Sequence, residues 1–271
     1  MENAFKKITD SLDKEFIYNS YKVNPIYWQA IQSLQPMREL LNVEIKYSIP
    51  GNVELLAKEV KPNLPWADIH FLERVGGEPL NPGESYKQWP FYKMDKAMRT
   101  EGEKFSHTYM ERFWPKYAGE NIHGIPRIIP PVDDPIKGVR YNYGDLSDVI
   151  MQLFKDPLTR QAYLPVFFPE DTGNTMNKRV PCTLGYHFIL RNDMLHVNYY
   201  MRSCDYMRHF ADDVYLACLL VGYIHHELCR QDNEVWGNVR LGLLTMYITS
   251  FHVFESDMYS IKKRYEKNNK G

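Results

Sequence analysis

Residues 183 to 201 hold two alternating apolar–polar runs, Thr183 to Leu190 and Leu195 to Met201, joined by Arg191-Asn192-Asp193-Met194. That pattern predicts a β-hairpin, and the hairpin fixes what stands at its open end. Cys182 precedes the first strand, and Arg202-Ser203 follows the second. A thiol thus lies on a strand next to one that ends in a guanidinium and a hydroxyl. Attack by sulfur needs the thiolate, which neighbouring guanidinium groups favour. An Arg fork with a hydroxyl suits a phosphate. The pair points to chemistry on a phosphorylated small molecule.

The rest of the chain supplies both helices and strands. Residues 4 to 15 and 24 to 34 read as amphipathic helices, the second opened by Asn24-Pro25. Leu40 to Ile49 alternates like a strand and stops at Pro50-Gly51. A helix is expected from Asn63 to Val75, closed by Gly76-Gly77. Residues 78 to 95 read as a loop and 94 to 117 as a helix. Residues 124 to 139, with four prolines, read as an extended connector. A helix follows at Leu146 to Lys155, then a strand from Gln161 to Phe168. Val214 to Leu228 is apolar nearly all round and predicts a buried helix. Leu241 to Phe254 is a last apolar strand, and a Lys-rich helical tail begins at Ser260.

With 271 residues and no shift in composition, a single domain over residues 1–271 is expected. The net charge of -1 gives no field to recruit nucleic acid or acidic lipid. The start lacks a secretory h-region, and no apolar run reaches the roughly 18 residues of a membrane span, so a cytoplasmic protein with reduced thiols is expected. There is no CxxC, HExxH, P-loop or GxGxxG, so neither a metal nor a dinucleotide is expected.

Four blocks in order carry a resemblance to the thymidylate synthase superfamily, which also contains pyrimidine nucleotide hydroxymethylases. Asp156-Pro-Leu-Thr-Arg160 resembles its N-P-x-S-R-R element. Pro181-Cys182 resembles its nucleophile, and Arg202-Ser-Cys-Asp205 its R-S-x-D signature, at the family's spacing of 20 residues from Cys182 to Arg202. Phe251-His252-Val-Phe254 resembles its late His-x-Tyr element. The resemblance is clear over residues 140 to 260 and thins upstream.

This resemblance implies an α/β (α+β) fold, with a large mixed sheet, surrounding helices and a homodimer packed sheet on sheet. It implies a reaction in which Cys182 adds to C6 of a pyrimidine nucleoside monophosphate. C5 then accepts a one-carbon unit from 5,10-methylenetetrahydrofolate. Arg202 and Ser203 would bind the phosphate with Arg160, which in the family reaches across the dimer. The family's second arginine is Gln161 here, so Arg179 or Lys178 is a candidate replacement. His252 would bind the sugar, and Phe254 lacks the usual Tyr hydroxyl. Asp205 would anchor the pterin, with Trp89 or Trp114 as a stacking wall. The general acid–base group lies among Asp68, His70 and Glu73, with Glu73 favoured because it keeps the family's residue type.

Asp213 stands eleven residues after Arg202, where the family keeps a uracil-reading asparagine. It is assigned to catalysis and to substrate binding, with a first-turn helix carboxylate as the plain alternative and Asp212 as its neighbour. A carboxylate accepts from the N4 amino group of cytosine. Cytidylate hydroxymethylases are similar in this Asp, in Cys182-Thr183 and in Met201 before Arg-Ser. The expected function is therefore 5-hydroxymethylation of dCMP or CMP, supplying a modified nucleotide for DNA or a natural product. Thymidylate synthase or dUMP hydroxymethylase is the alternative. A non-catalytic nucleotide-binding homologue stands behind both.

Overall fold

The protein is described from a computed structural model covering residues 3–23, 36–89, 105, 107–115, 144–172 and 180–269. The expected helix 24–34, the connector 124–139, and Lys178 and Arg179 lie outside these residues.

Six strands form one sheet in the order β1-β2-β6-β5-β4-β3. They are β1 Tyr21–Val23, β2 Met37–Ser48, β3 Tyr163–Pro165, β4 Thr183–Arg191, β5 Met194–Asp205 and β6 Arg240–Phe254. All neighbours are antiparallel except β5 and β6, so the sheet is mixed. The predicted hairpin is β4–β5. Its two turn residues, Asn192 and Asp193, have φ of 51° and 55°. Left-handed backbone at both positions gives the two-residue turn whose twist matches paired strands, and Asn and Asp tolerate it best among side-chain-bearing residues.

One face of the sheet is packed. Tyr186, Phe188, Val197, Tyr199, Met246 and Ile248 are almost fully buried. They join α7, Phe210–Gln231, whose Val214, Tyr215, Ala217, Val221, Ile224 and Leu228 are buried as well. The apolar run that predicted this helix covers its middle. α7 also carries the chain from β5 to its parallel neighbour β6, a crossover that a hairpin turn cannot make.

Other helices enclose the same core: α1 Ala4–Asn19, α2 Val53–Val60, α3 Trp66–Val75 and α6 Leu146–Lys155. Short helices α4 Ser85–Gln88, α5 Tyr109–Phe113 and α8 Asn233–Trp236, the terminal α9 Met258–Asn269, and 3-10 turns at Pro169–Asp171 and Glu255–Asp257 complete the described elements. The core runs from Phe5 to Ile261. A buried network ties the two chain ends together, with Arg264 and the Tyr206 hydroxyl both donating to Asp13.

Three expectations change. Within the proposed helix 94–117, the described residues are helical only over α5, where Thr108 caps the helix and Glu111 returns the bond to the Thr108 amide. The loop 78–95 contains α4. The strand expected from Gln161 to Phe168 pairs only as β3, because Val166 and Phe167 both donate to the Leu184 carbonyl and so leave the ladder. No helix among the described residues is long and apolar enough to cross a membrane.

Candidate active site

A cavity of about 130 Å³ opens between the ends of β4 and β5, the first turn of α7, α3, α4 and the residues Phe105, His107 and Tyr109. A void of roughly 150 Å³ accepts a benzene ring, so this one has the scale of a six-membered heterocycle. Cys182, Ser203, Cys204, Asp205 and Asp213 line it together with Trp66, His70, Arg74, Trp89, Tyr109 and His209.

Cys182 is half-buried, immediately before β4. The Ser203 Oγ donates toward its sulfur at 3.4 Å, and an Arg202 terminal nitrogen does so at 3.8 Å. Arg202 also donates to the Pro181 carbonyl at 2.8 Å and the Val180 carbonyl at 3.0 Å. Its amide donates to the Cys182 carbonyl at 2.9 Å. The hairpin thus presents the thiol at a fixed place, and Arg202 grips the segment that carries it. Arg202 does not line the cavity, whereas Ser203 does.

Two acidic residues begin α7, and their surroundings separate them. Asp212 accepts from the Asn63 amide at 2.8 Å and the Asn63 side chain at 2.7 Å, which pins α7 to the start of α3. Asp213 lines the cavity, accepting from the Cys204 thiol at 3.5 Å and also from the Tyr199 hydroxyl. Burial pushes the Asp213 carboxyl up to about 7, and the nearby Arg74 cation holds it from rising further. Burial and the same carboxylate push the Cys204 thiol well up.

On α3, Trp66, His70 and Arg74 recur every four residues, so one helix face meets the cavity. Trp66 stacks on His70 at 4.9 Å, and Trp89 lies 6.1 Å from Trp66 and 5.7 Å from His209. Burial drives the His70 imidazole well below its ordinary value, so it is neutral. Ser85 donates its hydroxyl proton to Glu73 and its amide to the same carboxylate at 3.0 Å. A hydroxyl has one proton to give. At 3.0 Å from Ser85 Oγ, His70 Nδ1 must therefore be the donor, which leaves Nε2 as the ring's acceptor.

Of the three acid–base candidates, only His70 lines the cavity. Glu73 is enclosed by the turn before α4, where a Cβ on Gly83 would stand 2.1 Å from its Oε2. Asp68 accepts from the Tyr215 hydroxyl at 2.7 Å.

The remaining expected residues spread outward. Asp205 lines the cavity but already accepts from the Met207 and Arg208 amides at 3.0 and 3.1 Å and from the Arg208 guanidinium. Trp89 is a wall of the cavity. Trp114 is core instead, its Nε1 donating to the Arg74 carbonyl at 2.8 Å. His252 stands opposite Asp205 in the β5–β6 register and outside the cavity. Arg160 is exposed just before β3, its carbonyl 3.0 Å from His187 Nε2. Arg74, Tyr109 and His209 are cavity residues that motif reasoning does not select. The four-residue repeat of Trp66, His70 and Arg74 is the one signal in the sequence that could have exposed Arg74.

A free thiol at a strand end, a ring-sized cavity and a mixed sheet backed by a long buried helix define a transferase of the thymidylate synthase type. The chain belongs to the thymidylate synthase family, whose sequence model matches residues 88–270. Membership makes it a folate-dependent one-carbon transferase acting on a pyrimidine nucleotide. The match covers Cys182, Arg202, Ser203, Asp205 and Asp213, whereas α3 lies upstream of it. No curated protein matches this chain.

Proposed function

We propose that the protein hydroxymethylates C5 of a cytidine monophosphate nucleotide, dCMP or CMP. The observation that carries this reading is the contrast between Asp212, consumed by Asn63, and Asp213, turned into the cavity beside Cys182 and Ser203. An ionised Asp213 accepts from the cytosine N4 amino group and repels the O4 carbonyl of uracil.

The described residues suit a folate. Trp66, Trp89 and His209 form an aromatic wall for a flat ring, and Asp205 retains acceptor capacity at the cavity edge. When bound, methylenetetrahydrofolate supplies the carbon that ends on C5, and addition of water leaves hydroxymethyl on the base and tetrahydrofolate as the co-product. The chain's own groups do the rest. Cys182 attacks C6, with Ser203 holding the sulfur in place. His70 Nε2 takes or returns a proton at the base, and Ser85 and Glu73 position its ring. Phosphate binding falls to Ser203, Arg202 and Arg160, and sugar binding to His252. Arg160, exposed in a single copy, meets the phosphate of a neighbouring subunit in a sheet-to-sheet homodimer.

The test is incubation of the protein with methylenetetrahydrofolate and either dCMP, CMP or dUMP. A mass increase of one hydroxymethyl on a cytidylate, without dihydrofolate absorbance, is expected. Tritium release from C5 of dUMP but not of either cytidylate overturns the proposal, and methyl transfer with dihydrofolate would return the chain to thymidylate synthesis.

A further inference from the structure

Arg74 is buried, at 5% exposure, on the cavity face of α3. Its Nε has no hydrogen-bond partner. Among the described residues no carboxylate lies within ion-pair distance of it. Its guanidinium carbon lies 4.0 Å from the Tyr109 ring centroid, and its charge acts on the Asp213 carboxyl without a direct ion pair. Tyr109 is itself fixed, because its hydroxyl is 2.9 Å from Thr183 Oγ1, which is 2.8 Å from the Tyr199 hydroxyl. The guanidinium therefore lies over a fixed ring with its Nε unpaired, lining the same space as Cys182 and Asp213. A buried cation that makes no ion pair or hydrogen bond within the fold costs several kcal/mol, and a ligand acceptor edge would offset that cost.

We infer that Arg74 recognises the acceptor edge of the pyrimidine ring, donating to N3 and O2 of cytosine, and that it stabilises the charge formed there. The inference rests on the proposed cytidylate activity. Cytosine presents N3 and O2 as adjacent acceptors, which suit a planar donor fork. Uracil carries a proton on N3 and offers that edge only O2. Asp213 accepts at N4 and Arg74 donates at N3 and O2, so the two together match cytosine and mismatch uracil.

The same contact serves the chemistry. As the Cys182 thiolate forms its bond to C6, the C5–C6 π pair moves to C4–C5, and the C4–N3 π pair comes to rest on N3. A fixed guanidinium at N3 and O2 lies where that charge appears. Once C5 has bonded to the incoming carbon and lost its proton, the thiolate leaves C6 and the ring pairs return.

Titration calorimetry on the full chain tests this with deoxycytidine, dCMP, dUMP and inorganic phosphate as separate probes. Arg74→Met should weaken deoxycytidine and dCMP by the same factor, about 10- to 100-fold. It should weaken dUMP less and leave inorganic phosphate unchanged. The ligand-free variant should keep a cooperative melting transition, so that weakened binding is not loss of fold. Arg74→Lys keeps the charge but lacks the fork. It should fold and lose most of the preference for cytosine. Loss of dCMP binding with deoxycytidine unaffected would make Arg74 a phosphate residue and overturn the inference. Wild-type discrimination in the lysine variant, or unchanged binding in the methionine variant, would overturn it as well. A wild-type chain that binds uridylate but no cytidylate would instead overturn the proposed function on which this assignment stands.

Discussion

The Ser203 hydroxyl lies 3.4 Å from the Cys182 sulfur, as a donor, across the open end of the β4–β5 hairpin. The contact follows from register: Thr183 pairs with Met201, so the residue before one strand meets the residues that end the other. It separates two roles that the motifs alone combine, because Ser203 touches sulfur and cavity while Arg202 mainly grips the Val180 and Pro181 carbonyls.

Cys182→Ala should therefore abolish turnover while keeping dCMP affinity within about 3-fold, since the thiol contributes a bond and little binding surface. Ser203→Ala should lower the rate by roughly 10-fold, the worth of one oriented hydrogen bond. Release of tritium from C5 of labelled dCMP reads the rate, and calorimetry reads the binding. Residual turnover in Cys182→Ala would remove the nucleophile assignment.

Asp213 should make base selection depend on pH. Its carboxyl titrates at about 7, against 3.8 for an ordinary aspartate. The neutral form can donate to uracil O4, and the ionised form cannot. The ratio of kcat/KM for dCMP over dUMP should rise as pH climbs from 6 to 8, and Asp213→Asn should flatten the ratio and favour uracil. Stability has a matching sign. A carboxyl whose value is raised on folding stabilises the folded state fully below about 3.8, and that contribution is lost as pH rises through 7. The melting temperature of Asp213→Asn should gain on the wild type between pH 5 and pH 8.

The hairpin, the buried helix and the thiol at the cavity were legible because each is written in local pattern: alternation from Thr183 to Met201, an apolar run after Val214, a Pro-Cys beside Arg-Ser. Which of the acid–base candidates lines the cavity was not. Residue type favoured Glu73, yet the turn before α4 folds back and captures its carboxylate through Ser85, leaving His70 at the cavity. That contact spans twelve residues, and no helical or strand period encodes it. The division of labour between Asp212 and Asp213 is equally non-local, since it depends on Asn63, 149 positions upstream of Asp212.

Arg112 and Asp171 form a buried bidentate pair at 2.9 and 3.0 Å, and the guanidinium lies 4.5 Å from the Phe168 ring centroid. Asp171 also accepts from the Phe168 amide at 2.8 Å. Asp171→Ala should destabilise the fold by about 3–5 kcal/mol, because it strands a buried charge. Replacing both partners, as Arg112→Met with Asp171→Leu, should recover part of that loss. Urea unfolding of the two variants measures the difference.

The sheet face opposite α7 carries Tyr163, His187, Tyr200, Leu243 and Tyr247. Tyr200 and Tyr247 stack there at 5.2 Å with 12° between rings, and Tyr163, Leu243 and Tyr247 are 37–40% exposed. An aromatic face of this kind is what a second sheet would cover. Tyr247→Glu places a charge at its centre and should convert a dimer to a monomer, read by sedimentation velocity. If Arg160 reaches a neighbour's phosphate, the same variant should weaken dCMP and leave deoxycytidine binding intact, because the residues proposed to meet the base, His70, Arg74 and Asp213, line the cavity of one chain. Loss of both affinities would mean that the face supports the cavity itself, and a wild-type monomer with full activity would remove the partner arginine from the site.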